Sequence, residues 1–266
     1  MNQVISADGT VITYDRAGSG PALVLVAGAF SYREFPGLLQ LTGLLAEHFT
    51  VYNYDRRGRG DSGDTAPYTV EREIEDLRAI VDAAGGEAFA WGLSSGAVLA
   101  LKAAEAGVPL TKLALYEPPF MTDPAGRHAP ADFKPRLESL VRQSKRGEAV
   151  KYFMTKGMGA PAFAIPMMRL MPGVWKRLTA VAHTLPYDLA LLDGHFAGEP
   201  LLAGEFAGVK APTLVLDGGK SAAGLRQAAQ DLADVLPDGH RRTLAGQNHN
   251  VSMKVMAPVV REFLEA

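Results

Sequence analysis

Residues 89–104 read FAWGLSSGAVLALKAA: an apolar run, then Gly92-Leu93-Ser94-Ser95-Gly96, then a stretch rich in alanine and leucine. With 28 glycines in 266 residues, the bare pattern G-x-S-x-G arises by chance in about one such chain in ten. Its setting gives it weight. An apolar strand ends at the motif and a helix begins directly after it, so Ser94 falls on a tight strand-to-helix turn. Glycines two residues to either side let neighbouring backbone pass without a Cβ clash. The start of the following helix offers unpaired N–H groups and a positive dipole end, both suited to an anionic intermediate. Ser94 is therefore the candidate nucleophile, and Ser95 a backbone donor to an oxyanion. A polar surface turn is the competing reading of the same residues.

The flanking sequence places this turn in a sheet. VISADGTVITYD alternates polar and apolar residues around Asp8-Gly9, a strong hairpin signal. ALVLVAG, TVYNYD, EAFAWGL, LTKLALYE and APTLVLD are short continuous apolar runs, as expected of strands covered on both faces. Helical patterns fall between them, at roughly 36–48, 69–84, 95–107, 223–237 and 252–265, the last with Ser252 as N-cap. Alternating strands and helices predict an α/β sheet with helices on both faces. Right-handed crossovers then put each strand-to-helix turn at the carboxyl edge, where ligands bind. Residues 121–205 break the alternation with helices and Pro/Gly-punctuated loops. The expected organisation is a core of 1–120 and 206–266 carrying 121–205 as a helical cap. Within the cap, MTKGMGAPAFAIPMMRLMPGVW supplies methionines that pack irregular gaps and can also line apolar pockets. Met154, Met158 and Met167 are the candidates for facing a ligand.

A serine hydroxyl needs a base with a pKa near neutrality. Of the six histidines, His48 ends a helical stretch, and His128, His183 and His195 lie in the cap. His240 precedes the strand-like RRTLAG. Only His249, in GQNHNVS, occupies a loop at the predicted carboxyl end of a strand, just before the last helix.

Composition narrows the partners. A formal net charge of −2 offers no basic surface for a phosphate backbone, so no nucleic-acid partner is expected. The absence of cysteine excludes disulfides, thiolate zinc sites and a cysteine nucleophile, and suits a reducing cytoplasm. The first residues lack a basic start followed by an apolar stretch, so no signal peptide is expected. The longest apolar run is about half the roughly 20 residues a membrane span needs, and no membrane partner is expected. No His/Asp/Glu cluster has metal-ligand spacing, and Gly58 and Gly60 lack the context of a dinucleotide fingerprint, so neither metal nor cofactor is expected. Oligomeric state is open.

Taken together, the hairpin start, AGAF after the first buried strand, DRRGRGDSG, the GLSSG turn and the C-terminal GQNHN resemble the α/β-hydrolase superfamily over nearly the whole chain. The resemblance implies an eight-stranded, mostly parallel sheet flanked by helices, a variable helical cap, and the catalytic order serine, acid, histidine. Ser94 and His249 match directly. It also implies a second oxyanion donor from the loop after the first buried strand. That loop, usually His-Gly-x, here reads Ala27-Gly28-Ala29-Phe30, so the Ala29 N–H is the expected donor, with Phe30 as alternative and as a pocket wall. The family's usual acid position holds Ser221 in Leu216-Asp217-Gly218-Gly219-Lys220-Ser221. Two substitutes remain. Glu117 ends the strand expected beside the nucleophile's own, about 4.8 Å away, and its extra methylene extends its reach. Asp217 lies earlier in its strand than the usual site. The arginines of Asp55-Arg56-Arg57-Gly58-Arg59-Gly60-Asp61-Ser62 could bind an anion, but the segment reads better as a charge-braced turn outside the active site. The implied activity is serine hydrolysis of a small or medium, largely apolar ester, lactone or thioester through an acyl-enzyme. The alternatives are perhydrolysis, acyl transfer, a lyase step, or a catalytically inactive ligand-binding or cyclase scaffold.

Overall fold

The structure, a computed structural model, describes residues 1–126 and 128–266. Eight strands form one sheet: β1 (Asn2–Ile5), β2 (Val11–Ala17), β3 (Ala22–Val26), β4 (Thr50–Tyr54), β5 (Ala88–Leu93), β6 (Leu110–Tyr116), β7 (Thr213–Gly218) and β8 (Gly239–Leu244). Their spatial order is β1-β2-β4-β3-β5-β6-β7-β8. β2 runs antiparallel to both neighbours, and the pairs from β4 through β8 are parallel. The β1–β2 hairpin closes at the predicted Asp8-Gly9, where Gly9 takes a positive φ of 83°.

The apolar runs are continuous because both faces of the sheet are covered. Along β3, Val24 and Val26 pack on one side with α2 (Val70–Ala83), α3 (Ser95–Glu105) and α9 (Ala223–Val235). Leu23 and Leu25 pack on the other with α1 (Pro36–Leu45) and α10 (Met253–Glu265). β6 splits the same way, Leu113 and Leu115 against Ala114 and Tyr116. Helix starts follow local chemistry: Pro36 occupies the first turn of α1, and Thr69 caps α2 with Glu71 and Glu73 in its first turn. Ser252 stands at the N-cap of α10, as expected, but its side chain makes no capping bond.

Between β6 and β7 the described residues form helices and loops without a strand. They include α4 (Phe133–Arg142), α5 (Arg146–Tyr152), a π-helical turn (Phe153–Gly157), α6 (Ala164–Arg169), α7 (Pro172–Ala180), a 3₁₀ turn (Ala182–Thr184) and α8 (Leu185–Leu191). Their cluster of Phe133, Leu137, Val150, Phe153 and Leu185 also takes in Phe30 from the core. Among the described residues no helix is long and apolar enough to cross a membrane.

The three arginines of the 55–62 segment are buried and each is paired, as the braced-turn reading expects. Arg57 grips Asp76 through two bonds of 2.7 Å, Arg56 grips Glu73 at 2.6 and 2.8 Å, and Arg59 binds Asp188 at 2.8 and 2.9 Å. Asp55 accepts from Arg33 and from the Asp61 N–H, and a Cβ on Gly60 would run into its carboxylate.

Helix α3 packs closely on the sheet. A Cβ at Gly96 would lie 2.2 Å from Val26 O and 2.6 Å from Ala27 O, both backbone atoms. Gly96→Ala is expected to cost at least about 3 kcal/mol in urea denaturation, because neither helix nor strand can yield alone. Gly173→Ala, on α7 with open space around it, is the matched control and should gain about 0.5–1 kcal/mol.

Candidate active site

Ser94 is the single residue between β5 and α3. Its φ of 56° and ψ of −125° lie in a region that side chains rarely adopt, at a cost of order 1–3 kcal/mol. The surroundings enforce it. The Ser94 N–H donates to Tyr116 O at 2.9 Å, and Ser94 O accepts from the Ala97 N–H at 2.9 Å. A Cβ at Gly92 would come within 2.6 Å of Ala97 Cα. The side chain is left half-buried at the carboxyl edge of the sheet.

The loop after β3 passes against this turn. A Cβ on Gly28 would lie 2.7 Å from Leu93 O and 3.1 Å from Ser94 Cβ, so only glycine permits the approach. Next to it, the N–H groups of Ala29 and Phe30 find no acceptor among the described residues. Ser95, first residue of α3, likewise has no intrahelical acceptor for its N–H. Phe30 has a positive φ of 63°, and its ring meets Phe153 edge-on at 5.4 Å. Met154 packs beside that cluster, whereas Met158 and Met167 are 52% and 57% exposed and stand apart from it. The short, proline-broken helix α6 has one buried residue, Ile165, with Ala164 and Met168 half-buried and Met167 exposed.

His249 Nδ1 lies 2.7 Å from Glu117 Oε2. Glu117 follows β6 directly, with a φ of 47°, and is fully buried. Its other oxygen accepts the Gly218 N–H at 2.8 Å. Burial works to raise its pKa, but the bonds from His249 and Gly218, with the neighbouring Ser221 hydroxyl, win and hold it below the ordinary carboxylate value. Asp217 is engaged elsewhere, accepting from Arg241 Nε at 2.8 Å and from the Thr243 hydroxyl at 3.1 Å. Of the two candidate acids, the fold thus brings Glu117 to the imidazole. Ser221, where the family resemblance leads one to seek an aspartate, is half-buried and turns its buried hydroxyl toward Glu117 without a well-aligned partner of its own.

The histidine loop is pinned on both sides. Tyr116 Oη donates to Asn248 O at 2.7 Å, the Lys220 N–H donates to Gln247 O at 2.7 Å, and Val251 is buried. Tyr116 therefore holds the Ser94 backbone through its carbonyl and the His249 loop through its hydroxyl. Among the described residues no hydrogen bond joins Ser94 Oγ to His249; such bonds often tighten only when substrate is bound. His128, His183 and His195 are placed elsewhere, on Asp123 O, near Gly58 and against Glu205. A hollow of about 390 Å³ between the 55–61 turn and Ala180, Val181 and His183 contains neither Ser94 nor His249.

Asp188 of α8 escaped the sequence reading. It is buried, and burial works to raise its pKa, but Arg59, Arg56 and the Ser95 hydroxyl outweigh it and hold the carboxylate below the ordinary value. The signal was a lone carboxylate in the apolar run LPYDLALL, since a charge buried there requires a cationic partner. Arg56 and Arg59 also do more than brace their turn: they donate to the carbonyls of Ala27 and Gly28.

The model of the Alpha/beta hydrolase family matches residues 23–262. The crystal structure of an alpha/beta hydrolase from Sphaerobacter thermophilus is 50% identical, covering 99% of this chain and 100% of that one, with a TM-score of 0.91. An esterase from a Rhodococcus species (18% identical, covering 100% and 98%, TM-score 0.67) shares the fold. So does the enol-lactonase from Burkholderia xenovorans (20% identical, covering 100% of both chains, TM-score 0.67). With the family model spanning most of its length and a half-identical relative matching end to end, the chain belongs to the alpha/beta hydrolase family.

Proposed function

We propose that this hydrolase is a serine hydrolase cleaving a small or medium, largely apolar carboxylic ester, lactone or thioester through an acyl-enzyme. The carrying observation is the buried Glu117 carboxylate on His249 Nδ1, on the strand adjacent to a strained Ser94 flanked by unpaired N–H groups. The esterase and enol-lactonase among its structural neighbours are compatible with this class.

In this reading Ser94 Oγ attacks the carbonyl carbon and His249 Nε2 takes its proton. Glu117 fixes the imidazole tautomer that leaves Nε2 as acceptor, and stabilises the imidazolium once it forms. The N–H groups of Ser95 and Ala29 receive the oxyanion, each worth roughly 3–4 kcal/mol in the transition state by analogy with measured donors. His249 returns the proton to the leaving alcohol or thiol. The same imidazole then draws a proton from water, which releases the acid and restores Ser94. The His249 side chain is 26% exposed, so water can reach it. Residues 121–205 serve as the cap, with Phe30 and Met154, which share one apolar cluster, as candidate walls of the substrate pocket. A chain without cysteine suits the cytoplasm.

A fluorophosphonate probe is expected to label wild-type protein at Ser94 and to leave Ser94→Ala unmodified; an unlabelled wild type would refute the activated serine. Against a p-nitrophenyl ester series, Glu117→Gln should lower kcat by roughly two to four orders of magnitude while Asp217→Asn stays within about three-fold of wild type. The reverse pattern would move the acid to Asp217. The Glu117 charge also contributes to stability. Its folded pKa is depressed, so that contribution is complete above its ordinary value of 4.5 and fades as pH falls through the lowered one. In thermal melts the gap between wild type and Glu117→Gln should be level above about pH 5 and narrow in more acidic buffers.

A further inference from the structure

We propose that Asp188 is a positioning residue for both oxyanion donors, fixing them from the helical segment through Ser95, Arg56 and Arg59. The inference rests on the serine-hydrolase reading above and concerns how its oxyanion site is kept in shape.

Asp188 Oδ1 accepts from the Ser95 hydroxyl at 2.7 Å, from Arg56 Nη1 at 2.7 Å and from Arg59 Nη2 at 2.8 Å, and Oδ2 accepts from Arg59 Nη2 at 2.9 Å. Asp188, Arg56, Arg59 and Ser95 are each at most 2% exposed. The first link is direct. In that reading Ser95 is the residue whose backbone N–H faces the oxyanion, and its side chain is tied to Asp188, so the carboxylate of α8 fixes the first residue of α3.

The second link runs through planar peptides. Arg56 Nη1 donates to Ala27 O at 3.1 Å, and Arg59 Nη1 donates to Gly28 O at 2.6 Å and to Ser31 O at 3.2 Å. Gly28 O and the Ala29 N–H belong to one peptide unit, and in a trans peptide the two point in opposite directions. A guanidinium clamped on Gly28 O therefore aims the Ala29 N–H the other way and holds it there. It also polarises that peptide, which makes the N–H a better donor. Arg59 is itself oriented by Asp188 and by the Thr184 hydroxyl at 3.1 Å, while Arg56 is shared between Asp188 and Glu73. One carboxylate thus governs two donors that come from different loops. This also gives the Ala27-Gly28-Ala29 loop, which lacks the family's usual histidine, a support from outside itself.

Asp188→Asn keeps the side chain's shape and removes its charge; Ser95→Ala removes only the hydroxyl and leaves the carboxylate with both arginines. The readouts are kcat and KM on a p-nitrophenyl ester, and inhibition by an alkylboronic acid, whose serine adduct is a tetrahedral anion. Far-UV circular dichroism and a melt confirm folding. A displaced donor costs rate and not ground-state binding. Asp188→Asn should therefore lose roughly 10- to 100-fold in kcat and a similar factor in boronate affinity, with KM within about three-fold. Ser95→Ala should lose roughly five- to ten-fold with the same signature. A purely structural role would lower the melting temperature without this kcat-selective loss. The proposal is overturned if either folded variant keeps kcat and boronate affinity within about two-fold of wild type, or loses only KM. If Asp188→Asn does not fold, Ser95→Ala alone decides. A wild type that neither turns over nor labels at Ser94 would remove the hydrolase reading and this inference with it. A wild type that does both, beside variants at full rate, would remove the inference alone.

Discussion

Helix α3 lies so close to β3 that the backbone of Val26 and Ala27 occupies the space a Cβ at residue 96 would need. From that single approach the local geometry follows. The chain must turn from β5 into α3 within one residue, and Ser94 absorbs the turn at a left-handed φ. The helix end then opens beside the loop after β3, which is itself admitted only because residue 28 has no side chain. Of the five non-glycine residues with positive φ among the described residues, three (Phe30, Ser94 and Glu117) belong to this region; such backbone strain tends to cluster at functional sites.

The acid illustrates how neighbouring strands can exchange duties. Leu93 pairs with Tyr116 and Tyr116 with Leu216, so the ends of β5, β6 and β7 stand side by side. A carboxylate leaving the middle strand can reach the imidazole from between the other two. Glutamate has the length, the Gly218 N–H supplies a second donor, and the small Ser221 leaves room for the carboxyl group. The longer side chain that follows β6 thus reaches the imidazole from the end of a neighbouring strand.

Features governed by local rules were readable in the sequence. The Asp8-Gly9 hairpin, the doubly covered strands and the Gly92-Leu93-Ser94-Ser95-Gly96 turn are each specified by residues within a few positions of one another. Glu117 could be weighed above Asp217 because strand adjacency and side-chain length are both deducible. The Asp188 link was not, since it joins residues 93 apart across a stretch of short, proline-interrupted helices whose periodicity is too brief to orient a face. The same limit hid the exposure of Met158 and Met167. For the 55–62 segment, charge pairing was evident from composition, but the reach of Arg56 and Arg59 onto loop carbonyls depends on which way their guanidinium groups point.

The pairing of His249 with Glu117 spans 132 positions of chain. Synthesis proceeds from the N-terminus at about 5–20 residues per second, so the imidazole trails its carboxylate by roughly 7 to 26 seconds on the ribosome. For most of that interval β6 lacks its neighbour β7, and the Glu117 carboxylate has no imidazole to bind. The His249–Glu117 pair is therefore assembled only when nearly the whole chain has been made.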